Sequence, residues 1–242
     1  MEKGKVLKSK GITKMGTKMV KEGGEKKDTR RYVANRIDAN EFLSGAGIGE
    51  QRVLHLLEDA ELVLVKKPSE LVLSEALLAD IEEKSVFATV NMFGNETVQS
   101  HMKVQYGRQY SFRGALQSYE MIGEMAELNS SVCGFLGLKM KTNSVIATTY
   151  PNGTSKLGLH SDADRTLEKG SDVICLSSGG TRTLTFSHKP SRTKWEVMIP
   201  ENVIYVMRGD LFHAKTKELK HGVLEEKGVC GKRVSVTFRT CI

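Results

Sequence analysis

The stretch Arg233-Val234-Ser235-Val236-Thr237-Phe238-Arg239 alternates without a break. A strand turns successive side chains to opposite faces, so Val234, Val236 and Phe238 define a core face. Arg233, Ser235, Thr237 and Arg239 share the other. Two arginines on the inward face of a barrel need anionic partners, because an unpaired buried charge is costly. A dicarboxylate answers that need, since the guanidinium fork suits bidentate carboxylate binding. The competing reading is an edge strand with two surface salt bridges; the Val/Val/Phe face argues against it.

Working outward, the segments 144–150, 156–162, 173–177, 181–187, 195–199 and 202–207 are of the same β type. Short strands at this spacing, divided by turns, point to a sandwich or a jelly-roll barrel. Upstream, 85–90 and 99–106 read as strands around the Gly94-Asn95 turn. The apolar spacing predicts helices over 70–83 and 114–136, and a loop with a short helix over 39–60. The fold class is therefore mainly β with flanking helices (α+β). No GxGxxG or GKS/GKT motif is present, which removes support for a nucleotide-cofactor fold.

The chain has 242 residues and a net charge of +7. Residues 1–31 hold eleven Lys/Arg and four Asp/Glu, so the whole excess lies there and residues 32–242 are balanced. That Lys- and Gly-rich segment is too poor in apolar residues to fold alone and is expected to be a disordered tail. It reads equally as a phosphate-attracting arm or as a solubility leader. No apolar run is long enough for a transmembrane helix, and no secretory leader is visible. Four cysteines without CxxC spacing fit a reducing compartment. The expectation is an intracellular, cytoplasmic protein, with the nucleus open.

The segment Lys156-Leu157-Gly158-Leu159-His160-Ser161-Asp162 carries the metal signal. His160 and Asp162, two apart on a strand, project the same way and can reach one ion. With one more His they make a 2-His-1-carboxylate facial triad, which suits non-haem Fe(II) with open coordination positions. His-x-Asp alone is a weak motif. For the third ligand, His213 and His221 are both candidates, and spacing slightly favours His221.

In order, His-x-Asp, a later His, and Arg233 with Arg239 resemble the AlkB-like 2-oxoglutarate/Fe(II) dioxygenases. Three further stretches agree: 143–150 (NSVIATTY), 176–186 (LSSGGTRTLTF) and 106–114 (YGRQYSFRG). The resemblance spans about residues 86–240. It implies a double-stranded β-helix (jelly-roll) core over about 144–242, with an N-terminal extension and nucleotide-recognition lid over about 32–143. It implies Fe(II) on His160, Asp162 and His221. Arg233 would pair with the distal carboxylate of 2-oxoglutarate, with Arg239 near the proximal one and Tyr150 hydrogen-bonded to the cosubstrate. Thr148 stands where the family often has Asn; it keeps a hydroxyl donor but loses amide reach. Tyr106, Tyr110 and Arg182 would bind substrate, and Phe112 is a weaker candidate of the same kind.

The activity so implied is oxidative demethylation of N-methylated bases in RNA or DNA, with succinate, CO2 and formaldehyde as products. The partner is single-stranded or flipped-out methylated nucleic acid, bound by a monomer. Two other readings stay open at this point. One is an oxygenase acting on protein or small molecules on the same scaffold. The other is a non-catalytic RNA-binding protein that uses its tail.

Overall fold

The computed structural model describes residues 32–92, 95–110, 116–138, 141–162, 166–212, 218–228 and 231–242. The predicted tail, His213 and Phe112 lie outside these.

Eight strands form the barrel: β7 (Ser144–Tyr150), β8 (Leu157–His160), β9 (Val173–Gly179), β10 (Arg182–His188), β11 (Thr193–Ile199), β12 (Val203–Arg208), β13 (Leu219–Val223) and β14 (Arg233–Arg239). Before them come β1 (Val33–Asp38), β2 (Gln51–Leu57), β3 (Ala60–Lys66), β4 (Val86–Met92), β5 (Asn95–Gly107) and the two-residue β6 (Ser118–Tyr119). The barrel strands split evenly between two sheets, with only the β10–β11 hairpin staying within one. β7, β14, β9 and β12 lie side by side in one, and β8, β13, β10 and β11 in the other. Every pairing among them is antiparallel. Two facing four-stranded sheets in this order are a jelly roll, as expected. The early strands extend them: β3 and β2 continue from β12, β5 and β4 continue from β7, and β1 adds in parallel to β11.

The larger sheet has two buried faces with opposite character. Its outer face, including Ile174, Leu176, Val234, Val236 and Phe238, packs on α2 (Glu75–Lys84) and α3 (Gly123–Phe135). α2 starts where the Ser74 hydroxyl accepts the Leu77 N–H, and it buries Leu77 and Ile81 one turn apart. α3 buries Met125, Leu128, Val132 and Cys133 along one stripe. Inside the barrel a second core gathers Phe186, Trp195, Val197, Val203 and Phe212 from the closed end.

Three expectations need correction. The segment predicted as a short helix within 39–60 holds α1 (Ala39–Phe42), but residues 51–57 are strand β2, hairpinned to β3. Leu54, Leu56 and Leu57 match either period, and the register shifts between His55 and Leu57, which breaks the strict alternation a strand reading needs. The helix predicted over 114–136 begins at Gly123, because Ser118 and Tyr119 pair with β5 instead. The strand carrying the metal motif ends at His160, so Asp162 lies just beyond it. No helix of the described residues is long and apolar enough to cross a membrane.

Candidate active site

Strand register builds the site. β5 pairs with β7, β7 with β14, and β14 with β9, so inward residues line up in rungs across the sheet. One rung is Tyr150–Arg233–Gly179, and the next is Lys103–Thr148–Ser235–Ser177. A third runs Gln105–Ile146–Thr237–Cys175–Tyr205, and a fourth holds Ser144 and Arg239. The smaller sheet faces these rungs with His160 and His221, which are register partners on β8 and β13.

Gly222 makes that partnership possible. A Cβ there would lie 2.6 Å from the Leu157 carbonyl oxygen and 2.9 Å from that of Gly158. Only a residue without a side chain lets β13 come this close to β8.

His160, Asp162 and His221 converge, with one ligand atom from each lying within 4.8 Å of the others. The carboxylate oxygens of Asp162 are each 3.7 Å from a histidine Nε2, one to His160 and one to His221. Two ligands on one ion, each roughly 2.1 Å from it, are at most about twice that distance apart, so these pairs fit. The His160 Nδ1 donates to the Gly158 carbonyl at 2.9 Å, which leaves Nε2 as the lone-pair nitrogen facing Asp162. Burial lowers the His160 pKa against the pull of Asp162, favouring the neutral imidazole that ligation requires. Asp162 is 1% exposed and is approached by Arg239 Nη2 and the Tyr110 hydroxyl, both at 3.5 Å.

The two arginines of β14 stand three rungs apart; Arg239 lines the cavity with the triad, and Arg233 lies behind Tyr150 and Ser235, which line it. Arg233 is buried and donates to the carbonyls of Gly180 and Ile199 and to the hydroxyls of Ser177 and Ser235. No described carboxylate forms an ion pair with it. Arg239 stacks over the Tyr110 ring at 4.8 Å. Its Nε and Nη1, both buried, find no hydrogen-bond partner among the described residues. Buried cationic donors left over in a cavity beside an imidazole–carboxylate cluster fit a metal-bound anion. The residues present therefore match Fe(II) with 2-oxoglutarate.

Tyr150 and Thr148 line the same cavity, as does Tyr110. Burial raises the Tyr150 pKa, so the phenol stays protonated and can donate. Two expected substrate contacts are placed elsewhere. Tyr106 points to the opposite face of β5, into the outer core, where its hydroxyl donates to Asp80 at 2.7 Å. The reason is parity: His101, Lys103 and Gln105 take the inward face, so Tyr106 cannot. Arg182 is 1% exposed and donates to the carbonyls of Asn152, Ser155 and Leu224 and to Glu226. It ties two loops together and lies 5.3 Å from the Tyr150 ring, supporting that residue from behind.

Two cavity residues escaped the sequence reading. Tyr205 shares a face with Val203 and Met207, a signal that alternation over 202–207 carried. Lys103 is 7% exposed and lines the cavity with the triad. Burial, then Arg239, lower its pKa to about 8 against the attraction of Asp162.

Comparison with known proteins gives the same reading. Residues 70–239 match the family model described as "2OG-Fe(II) oxygenase superfamily". The chain is 26% identical over 230 residues to a Homo sapiens protein named DNA oxidative demethylase ALKBH2, covering 90% of this chain and 86% of that one. The Bos taurus protein of that name is 27% identical over 90% of this chain and 80% of its own length. A solved structure titled "The structure of OsALKBH1" superposes with a TM-score of 0.51 at 16% identity, over 77% of this chain and all of the other, which supports the fold. The family model matches well over half of the length, and its two named requirements are those the cavity satisfies: the chain belongs to the 2OG-Fe(II) oxygenase superfamily and is an enzyme of Fe(II) and 2-oxoglutarate.

Proposed function

We propose that this oxygenase removes N-methyl groups from the bases of nucleic acid, single-stranded or flipped out of a duplex, as an AlkB-like demethylase. The observation that carries this is the likeness to DNA oxidative demethylases along nine-tenths of the chain, centred on a cavity holding all three ligands. His160, Asp162 and His221 hold Fe(II). Arg233, at the deep end, holds the distal carboxylate of 2-oxoglutarate, with the Tyr150 hydroxyl beside it. Arg239 and Thr148 serve the end nearer the triad. When bound, the iron and cosubstrate supply O2-dependent hydroxylation of the N-methyl carbon; the adduct then loses formaldehyde to give the unmodified base. A base inside a duplex cannot enter such a cavity, so extrusion or single-strandedness is required. Tyr110, stacked on Arg239 at the triad, offers the aromatic surface for the base, and such stacking is worth about 1–3 kcal/mol.

On this reading residues 32–143 form the extension and lid and 144–242 the catalytic barrel. The basic segment 1–31 is a phosphate-attracting arm, and the protein works as an intracellular monomer. The test is mass spectrometry of a panel of N-methylated DNA and RNA oligonucleotides after incubation with Fe(II) and 2-oxoglutarate. Loss of 14 mass units per methyl on at least one base (about the mass of CH2), coupled to succinate, is the expected result. Succinate formation that no oligonucleotide stimulates would move the substrate to another class.

A further inference from the structure

The rung Lys103–Thr148–Ser235–Ser177 lies between the rung of Arg233 and the rung of Arg239, in the path a 2-oxoglutarate takes between them. Three of its four side chains are short hydroxyls. Two of these face the deep end: Ser177 and Ser235 lie 3.1 Å apart and both accept from Arg233. Thr148 stops at its γ-oxygen, about three bonds short of the reach of a lysine ammonium and without the second donor of an amide. Its cross-strand partner Lys103 is the one long donor of the rung. Lys103 is buried at the triad end of the cavity, where Asp162, Arg239 and His160 all feel its charge. Lys103 faces the cavity, so an anion bound there would gain its charge in a site of low polarity.

We infer that Lys103 binds the triad-side carboxylate of 2-oxoglutarate, supplying the reach that Thr148 and Ser235 lack. The inference rests on the cavity being the 2-oxoglutarate site. It makes the ammonium at 103 and an amide placed at 148 exchangeable donors.

Binding of 2-oxoglutarate to the full chain loaded with Mn(II), without O2, tests this by calorimetry. Lys103→Met should weaken binding about 10- to 100-fold, the worth of one hydrogen bond to a charged group. Lys103→Met combined with Thr148→Asn should recover most of that loss. Succinate, which lacks the oxalyl end, should bind Lys103→Met within about threefold of wild type. A Lys103→Met dissociation constant for 2-oxoglutarate within threefold of wild type would overturn the inference. So would equal losses for succinate and 2-oxoglutarate, or an absence of rescue by Thr148→Asn. Should Lys103→Met fail to fold, Lys103→Leu, likewise without charge or donor, carries the same expectations. Wild type that binds no 2-oxoglutarate would refute the underlying cosubstrate reading instead, and the inference with it.

Discussion

On the outer side of β14, Val234, Val236 and Phe238 pack among apolar residues of strands and helices. On the inner side, Arg233, Ser235 and Arg239 are just as buried, yet their partners are hydroxyls, carbonyls and a carboxylate. Burial is the same and the consequence is opposite. The apolar face gains stability from leaving water. The polar face loses it unless every charge is answered, so its residues are kept for what binds between the sheets. Substitutions on the two faces should therefore separate stability from chemistry.

The largest separation is expected at Asp162. Asp162→Ala removes the only carboxylate of the triad, and succinate formation should fall at least about 1000-fold, beyond the 10- to 100-fold typical of residues one shell out. Circular dichroism should show an intact fold. On the outer face the sign reverses. Phe238→Ala should cost about 3–5 kcal/mol in urea unfolding, while the Michaelis constant for 2-oxoglutarate of the folded fraction stays near wild type.

Arg233 lies between these extremes, since it serves both purposes. Arg233→Ala should raise the Michaelis constant for 2-oxoglutarate roughly 30- to 4000-fold, corresponding to about 2–5 kcal/mol. It should also lower stability, because the carbonyls of Gly180 and Ile199 lose their donor. Arg233→Lys should recover only part of the binding, as an ammonium cannot reproduce the planar fork. A wild-type 2-oxoglutarate curve for Arg233→Ala would break the division between the faces.

His101 sharpens the comparison through pH. It is buried beside Tyr150 and bonded to the Lys156 carbonyl, and burial followed by the Lys103 charge lowers its pKa to about 4. The unfolded chain takes up that proton near the ordinary 6.5, the native state only near 4. Stability is therefore fully present above pH 6.5 and is lost as pH falls towards 4. Between pH 7.5 and 5, wild type should lose about 2 kcal/mol more than His101→Gln in urea titrations.

What could be read from the sequence follows the same division. The barrel strands and two of the triad ligands, His160 and Asp162, were legible because alternation and the His-x-Asp spacing are local; His221 was set apart from His213 mainly by the family resemblance. β14 states its two faces in seven consecutive residues. The β2–β3 hairpin was not legible, because its leucines suit two periods and a register shift hides the one that applies. Lys103 was missed for a different reason. Nothing local marks a lysine on a strand as buried; only the pairing of β5 with β7 brings it beside Thr148. Tyr106 was misplaced for want of the same parity, fixed once His101 and Lys103 are seen to face inward.

Tyr106 and Tyr110 supply the smallest and cleanest test, since three residues separate them and the sheet lies between their rings. Tyr106 belongs to the outer core, where its hydroxyl donates to Asp80 and its ring meets Tyr119. Tyr106→Phe deletes one hydrogen bond to a carboxylate and nothing else. A loss of about 1.5 kcal/mol in urea unfolding is expected, near the lower end for a charged acceptor because Asp80 keeps Lys84. Turnover and substrate Michaelis constants should not move. Tyr110→Ala probes the cavity side of the sheet. Its ring covers Arg239 and is buried with Ile146, Leu167 and Cys241, so stability falls as well and affinity is read on the folded protein. Oligonucleotide affinity should fall about 5- to 100-fold if a base stacks there, the equivalent of roughly 1–3 kcal/mol. Methylated-oligonucleotide binding by Tyr106→Phe that falls as far as that of Tyr110→Ala would place both rings in the substrate's path and contradict the parity of β5.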